Sequence, residues 1–258
     1  MIALRTNEEI RILRKANQIV AEVLTVLADR VGPGVTTKEL DELAEQLIRD
    51  MGAIPAFLGY RGYPNATCIS VDEVIVHGIP GSRRIGQGQI VSIDVGALYQ
   101  GYYGDAALSV GCGKLDSQRQ HLLDTTDRAL ARAIAAARPG NYLEDISRAI
   151  QETCEAEGFS VVRAFVGHGI GTAMHEDPQI PNFVTGHRGP KLKAGMVMAI
   201  EPMVNLGGHD VKVLDDNWTA VTADGLPSAH FEHSIVVRDG EADILSAAPR
   251  RAWGRRTD

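Results

Sequence analysis

The first apolar pattern along the chain is helical. Thr6-x-x-Glu9 has the form of a capping box, and Ile10, Leu13, Ile19, Val20, Val23, Leu24 and Leu27 follow at the spacing of one helix face. Pro33-Gly34 ends it, and a second helix is predicted through Leu40, Leu43, Leu47 and Ile48, stopping at Gly52. The same punctuation returns downstream. Pro139-Gly140 precedes a helix through Leu143, Ile146, Ala149 and Ile150 that stops at Gly158. The interval from the Pro-Gly glycine to the closing glycine is 18 residues both times.

Strand-like runs repeat as well. Gly88-Gln-Ile-Val-Ser-Ile-Asp94 matches Gly195-Met-Val-Met-Ala-Ile-Glu201, each a glycine, a short apolar run and a carboxylate. The helical features recur at an offset of 106 residues and the strand features at 107. Two halves of one design are predicted, roughly 1–115 and 116–248, forming a single domain over 1–248. Helices followed by strands favour an α+β fold, with helices on one face of a curved antiparallel sheet. Asp94 and Glu201 then occupy equivalent places near a pseudo-twofold axis, where a shared pocket is expected. The basic stretch 249–258 reads as a solvated tail.

The net charge of −7 argues against a general phosphate-binding surface, so nucleic-acid specificity is not expected. Cys68, Cys112 and Cys154 are too few and too far apart for a disulfide framework or a zinc knuckle, which favours a reducing compartment. Charges at Glu8, Glu9, Arg11, Arg14 and Lys15 interrupt any signal-peptide core, and no apolar run is long enough to span a membrane.

The informative chemistry is acidic. Strands are predicted at 90–95 and 102–110, joined by a hairpin. A turn centred near Tyr99–Gln100 sets Asp94 directly across from Asp105, with Cβ atoms about 5 Å apart. Like charges there are unfavourable and require a shared proton or a cation. Glu201 ends an apolar strand before Pro202, and Glu232 lies inside a strand pattern over 229–237. His168 lies between Gly167 and Gly169, which allow close backbone approach to a ligand. Four carboxylates and one imidazole exceed what one octahedral ion needs from protein and suit two ions. The oxygen-rich set favours Mn, Fe or Co, with Zn also able to enter. Gly167-x-Gly169-x-Gly171 is not a dinucleotide fingerprint, and His175-Glu176 lacks the second histidine of HExxH.

These residues carry a family resemblance. Over nearly its whole length the chain resembles the bacterial, type I methionine aminopeptidases. The resemblance rests on Gly62-Tyr63-Pro64, Val76-His77-Gly78-Ile79-Pro80, Ile93-Asp94-Val95 with Gly104-Asp105, Gly167-His168-Gly169-Ile170-Gly171 with His175-Glu176-Asp177-Pro178, Ile200-Glu201-Pro202-Met203, and Glu232-His233-Ser234. It implies the pita-bread fold, whose pseudo-twofold halves agree with the repeat. It implies that Asp94, Asp105, His168, Glu201 and Glu232 ligate two divalent ions (Co, Mn, Fe or Zn), with Asp105 and Glu232 bridging. His77 and His175 would hydrogen-bond the scissile amide, and Glu201 would shuttle a proton. Tyr60, Tyr63, Cys68 and Trp218 would wall the methionine pocket. The implied partner is the N-terminus of a nascent polypeptide, met at the ribosome by a cytoplasmic monomer that prefers a small second residue.

The chain departs from the family at three places. Phe57 stands where a small residue or cysteine is common, Met174 where an aromatic is common, and Ala106 where a threonine often follows the aspartate. Both Phe57 and Met174 are expected at the substrate pocket. Two competing readings are a proline-specific peptidase of the same fold and a non-catalytic binding protein. The first usually carries a large extra N-terminal domain, whereas here the first Pro-Gly comes at residue 33. The second would have lost metal ligands, and all five are present.

Overall fold

Helix boundaries follow from local capping chemistry. In the computed structural model, which describes residues 2–247, α1 spans Asn7–Arg30 and α2 spans Thr37–Asp50. Thr6 and Thr36 cap them: each hydroxyl accepts from the amide of the third helical residue, Glu9 or Glu39. Each glutamate in turn accepts from the backbone N–H of its cap. Such caps contribute about 1 kcal/mol each. α3 (Ser117–Ala136) starts at Asp116, and α4 (Leu143–Glu155) starts at Tyr142, whose N–H donates to Asp145. The apolar pattern singled out α1, α2 and α4 but not α3. The basic tail expected at 249–258 lies outside the described residues.

The repeat is real in the backbone. Gly34 and Gly140 both have positive φ, 86° and 97°, and so do the closing Gly52 and Gly158 at 75° and 82°. The residue capping α2, Thr36, bridges Arg84, and its counterpart Tyr142 bridges Lys191.

A nine-stranded sheet joins the halves. Its principal strands are β1 (Thr67–Val71), β2 (Ile90–Tyr99), β3 (Tyr102–Gly111), β4 (Val166–Gly169), β5 (Glu176–Pro181), β6 (Val197–Ile200) and β7 (Glu232–Val236). β1 pairs with β2 and β2 with β3, and this is mirrored by β4 with β6 and β6 with β7. β3 and β7 meet at the centre, and every pairing in this sheet is antiparallel. The fold is therefore α+β, two pseudo-twofold-related halves on one curved sheet with helices outside.

Alternation decides what each face does. Val91, Ile93, Val95, Ala97, Ala106 and Leu108 belong to the main core with the helices. Asp94 and Asp105 take the opposite parity and look inward. α1 lies so close that a Cβ on Gly104 would stand 2.6 Å from the carbonyl carbon of Ala16. The Asp105 N–H, next along the strand, donates to Asn17 Oδ1 at 3.3 Å.

The 229–237 strand pattern is in fact two strands. Ser228–His230 belongs to a separate three-stranded sheet, and β7 begins at Glu232. The chain changes sheet at Phe231, so His230 and Glu232 approach the centre from different sheets.

Candidate active site

Cross-strand register gathers the acids. Cys68 pairs with Asp94, Asp94 with Ala107, and Ala107 with Glu232. Glu201, one residue past the His233–Ile200 pair, stands level with Glu232. A neighbouring row on the same face runs through Gly96, Asp105, Ser234, Ala199 and His168. Residues distant in sequence thus occupy two adjacent rows of one sheet face, and Gly96, Ala107 and Ala199 leave room between them.

Two expectations from the sequence are corrected by this register. Asp94 and Asp105 are not directly opposite, because the hairpin turns at Gln100–Gly101, with Tyr99 paired to Tyr102. Both turn residues have positive φ, 49° and 82°, as a two-residue hairpin of type I′ requires. The aspartates are diagonal neighbours, still on one face and within hydrogen-bonding reach of each other. The glycines beside His168 serve neighbouring strands rather than a ligand. A Cβ on Gly167 would lie 2.5 Å from the Ala199 carbonyl oxygen, and one on Gly169 would lie 2.1 Å from that of Asp177.

Donor atoms of Asp105, His168 and Glu232 lie within 4.8 Å of one another, all three buried. His168 Nε2 is 3.7 Å from Asp105 Oδ2 and 3.5 Å from Glu201 Oε1. Burial pushes the Asp94 carboxyl up to about 7, against the lowering effect of its hydrogen bond to Asp105. Asp105, Glu201 and Glu232 are held well above the usual carboxylate range, first by burial and then by one another's charge. Burial and the neighbouring His175 push His168 down to about 3, leaving a neutral imidazole. Asp94 Oδ1, Asp105 Oδ1 and Glu232 Oε1 are buried with no hydrogen-bond partner. No lysine or arginine pairs with these acids among the described ion pairs. An acceptor-only set with orphaned oxygens is what divalent cations neutralise, so the residues fit a metal centre.

A cavity of about 150 Å³ opens beside the acids. Phe57, Tyr60, Tyr63, Cys68, His77, His175 and Trp218 line it together with all five acidic-cluster residues. Tyr63 is fixed by its hydroxyl, which donates to the carbonyls of Thr67 and Gly78, and meets Trp218 edge-on at 5.1 Å. His77 takes a left-handed φ of 58° and is wedged between Phe165 and Trp218. Such strain persists where the surroundings over-determine it, commonly at functional sites. Burial pushes its imidazole down to about 4. His175 lies with its ring 4.2 Å from that of His168, and its Nδ1 is 2.8 Å from the Tyr60 hydroxyl.

Met174 does not line the cavity. It is buried behind Phe57, and both side chains crowd Gly96, where a Cβ would meet Phe57 Cε1 at 2.5 Å and Met174 Cε at 2.8 Å. Sequence reasoning missed His230, whose buried Nε2 lacks a hydrogen-bond partner and lies 3.7 Å from Glu201 Oε2. Its position two residues before Glu232 was the available signal. Arg61, exposed and in left-handed conformation at the rim, was also missed.

Comparison with known proteins agrees with this geometry. The model of metallopeptidase family M24 matches residues 11–239. The chain is 49% identical over 246 residues to methionine aminopeptidase 1 of Bacillus subtilis, covering 95% of this chain and 99% of that one. It superposes on the crystal structure of methionine aminopeptidase from Thermotoga maritima with a TM-score of 0.94 at 45% identity, covering 95% and 99%. The prolidase from Pyrococcus furiosus shares the fold, with a TM-score of 0.77 at 24% identity, this chain spanning 66% of it.

Proposed function

The chain belongs to metallopeptidase family M24, and from that premise we propose that it is a methionine aminopeptidase, removing the initiator methionine from chains whose second residue is small. The observation that carries the reading is the convergence of five ligand-type side chains from four strands and the end of a fifth segment beside a cavity with aromatic and sulfur-bearing walls. Asp94 and Asp105 come from the first half, and His168, Glu201 and Glu232 from the second. The catalytic unit is therefore the pair of halves, over 1–248.

Asp94, Asp105, His168, Glu201 and Glu232 would hold two divalent ions, with Asp105 and Glu232 shared between them. Oxygen donors with one imidazole suit Mn, Fe or Co, and Zn can enter. When bound, the ions supply Lewis acidity and bring the pKa of water toward neutrality. The protein's own groups do the rest. Tyr60, Tyr63, Cys68, Phe57 and Trp218 surround the methionine side chain. His77 and His175 hydrogen-bond the scissile amide, and His175 meets the charge that develops on its oxygen. Glu201 takes the proton released by the attacking water and passes it to the leaving amine.

The substrate is the N-terminus of a nascent polypeptide, so the place of action is the ribosome's surroundings in the cytoplasm, with the protein as a monomer. That no described helix is long and apolar enough to cross a membrane is consistent with this.

A peptide panel tests the reading. Manganese-loaded protein is expected to release methionine from Met-Ala-Ser, to act slowly on Met-Leu-Ser and to leave Gly-Pro-Ala intact. Cleavage confined to the proline peptide would move the assignment to the sister activity. Inertness toward all three would leave a binding protein.

A further inference from the structure

The segment ahead of α1 is bound into the molecule close to the site. The Arg5 N–H donates to the Gly195 carbonyl at 2.8 Å, and the Arg5 side chain is 9% exposed. Nη1 lies 3.3 Å from Glu9 Oε1 in the first turn of α1, while Nη2 makes an ion pair with Glu176 Oε2. Glu9 Oε1 also accepts from the Tyr102 hydroxyl at 3.2 Å. The other oxygen of Glu176 accepts from the Ala173 N–H at 3.0 Å and the Thr172 hydroxyl at 3.3 Å.

Glu176 therefore closes the 171–176 loop on itself, and Arg5 ties the closed loop to α1. Gly171 admits the guanidinium, since a Cβ there would lie 2.0 Å from Arg5 Nη2. The Gly171 carbonyl accepts from the Tyr103 N–H at 2.9 Å, fixing the loop's other end to β3. His175 precedes Glu176 directly; it is exposed, and among the described residues its ring contacts are with Tyr60 and His168. The placement of its ring then depends on the backbone that Arg5 and Glu176 hold.

We propose that Arg5 is a positioning residue for peptide hydrolysis: through its ion pair with Glu176 it holds the 171–176 loop so that His175 faces the cavity. The inference rests on the reading of His175 as a group that binds the substrate. The pair is well shielded, with side chains 9% and 19% exposed, so removing one partner leaves the other charge partly buried and unmatched. Arg5 reaches Glu9 and Glu176 together with one planar fork, which a lysine cannot reproduce in full.

The test uses the full chain loaded with manganese, Met-Ala-Ser as substrate, and the variants Arg5→Ala, Arg5→Lys and Glu176→Gln. Displacing a contacting group by about 1 Å costs on the order of a hundredfold. Arg5→Ala is therefore expected to lower kcat at least tenfold, with KM within twofold and manganese affinity unchanged, because Arg5 touches neither the pocket walls nor the five acidic-cluster residues. Glu176→Gln, which keeps an acceptor for Thr172 and Ala173 but loses the charge, should move kcat the same way. Arg5→Lys should fall between alanine and wild type. Wild-type kcat in the alanine and glutamine variants would overturn the proposal. So would a loss shared by KM and manganese affinity, as general loosening produces, or a lysine variant no better than alanine. Should Arg5→Ala fail to fold, Glu176→Gln decides alone. Methionine release by the unaltered protein tests the reading of the site, whereas the ratio of variant to wild type tests Arg5.

Discussion

The Tyr60 hydroxyl lies 2.8 Å from Nδ1 of His175, and the two rings stack with their centroids 5.4 Å apart. A hydroxyl donating to Nδ1 leaves the imidazole proton on Nε2, as a donor toward the substrate carbonyl requires. Tyr60→Phe keeps the stacking and removes this tautomer control. A donor aimed at the reacting oxygen is worth about 100–1000-fold in kcat, and losing its orientation forfeits part of that. The expected outcome is a kcat on Met-Ala-Ser lowered by about tenfold with little change in KM, measured by steady-state release of methionine.

Phe57 and Met174 share the space over Gly96, so a change of volume at one is felt at the other. Phe57→Ala alone opens the pocket floor, and kcat/KM for methionine substrates should fall about tenfold. Met174→Phe alone overfills a buried position and should lower the thermal midpoint, at a cost of about 1–3 kcal/mol. The double variant should recover part of both losses, a non-additivity that a double-mutant cycle measures directly.

Asn17 links helix packing to the site. It is fully buried, its Nδ2 donates to the Leu13 carbonyl at 3.0 Å and its Oδ1 accepts from the Asp105 N–H. Asn17→Ala leaves a buried N–H without its partner, at a cost of about 1–3 kcal/mol. Urea denaturation should show that loss, and titration with manganese should show weakened binding, because Asp105 loses its anchor to α1.

Metal-free protein should become less stable as pH rises above about 6.5. The carboxyls of Asp94, Asp105, Glu201 and Glu232 titrate higher in the folded chain than in the unfolded one, Asp94 at about 7. The folded state then binds more protons than the unfolded state, so raising pH favours unfolding. Each such group contributes up to about 1.4 kcal/mol per pH unit while it titrates. His77, His168 and His230 act in the opposite sense, since their folded values of about 4, 3 and 3 are depressed. Their contribution is lost only as pH falls below about 6.5, so above that point these histidines no longer oppose the acids. Thermal midpoints in chelator should decline from pH 6.5 to 8.5, and saturating manganese should remove the decline. A flat profile in chelator would contradict the assigned shifts.

Local chemistry was legible in the sequence, and long-range register was not. The Thr6–Glu9 box and the paired Pro-Gly punctuation announced α1, α2 and α4, because caps and breakers act within a few residues. α3 escaped because Thr125 and Thr126 lie on its buried face and dilute the apolar period. Strand parity put Asp94 and Asp105 on one face. A turn one residue further along, set by positive φ at Gln100 and Gly101, changed which residues pair without changing the face. The break at Phe231 hid His230, since nothing in the strand pattern over 229–237 marks where a chain leaves one sheet for another. Met174 was expected at the pocket because it stands where the resembled family commonly carries an aromatic, and a sequence position does not say on which side of Phe57 a side chain lies.

The most direct measurement is methionine release from Met-Ala-Ser by metal-stripped protein as manganese is added back, with Asp105→Asn in parallel. The account predicts no release before metal and restoration as manganese binds. It predicts an Asp105→Asn variant that keeps its fold yet binds less metal and stays below about 1% of wild-type kcat. Release of methionine by the stripped protein, or by Asp105→Asn at wild-type rate, would contradict it.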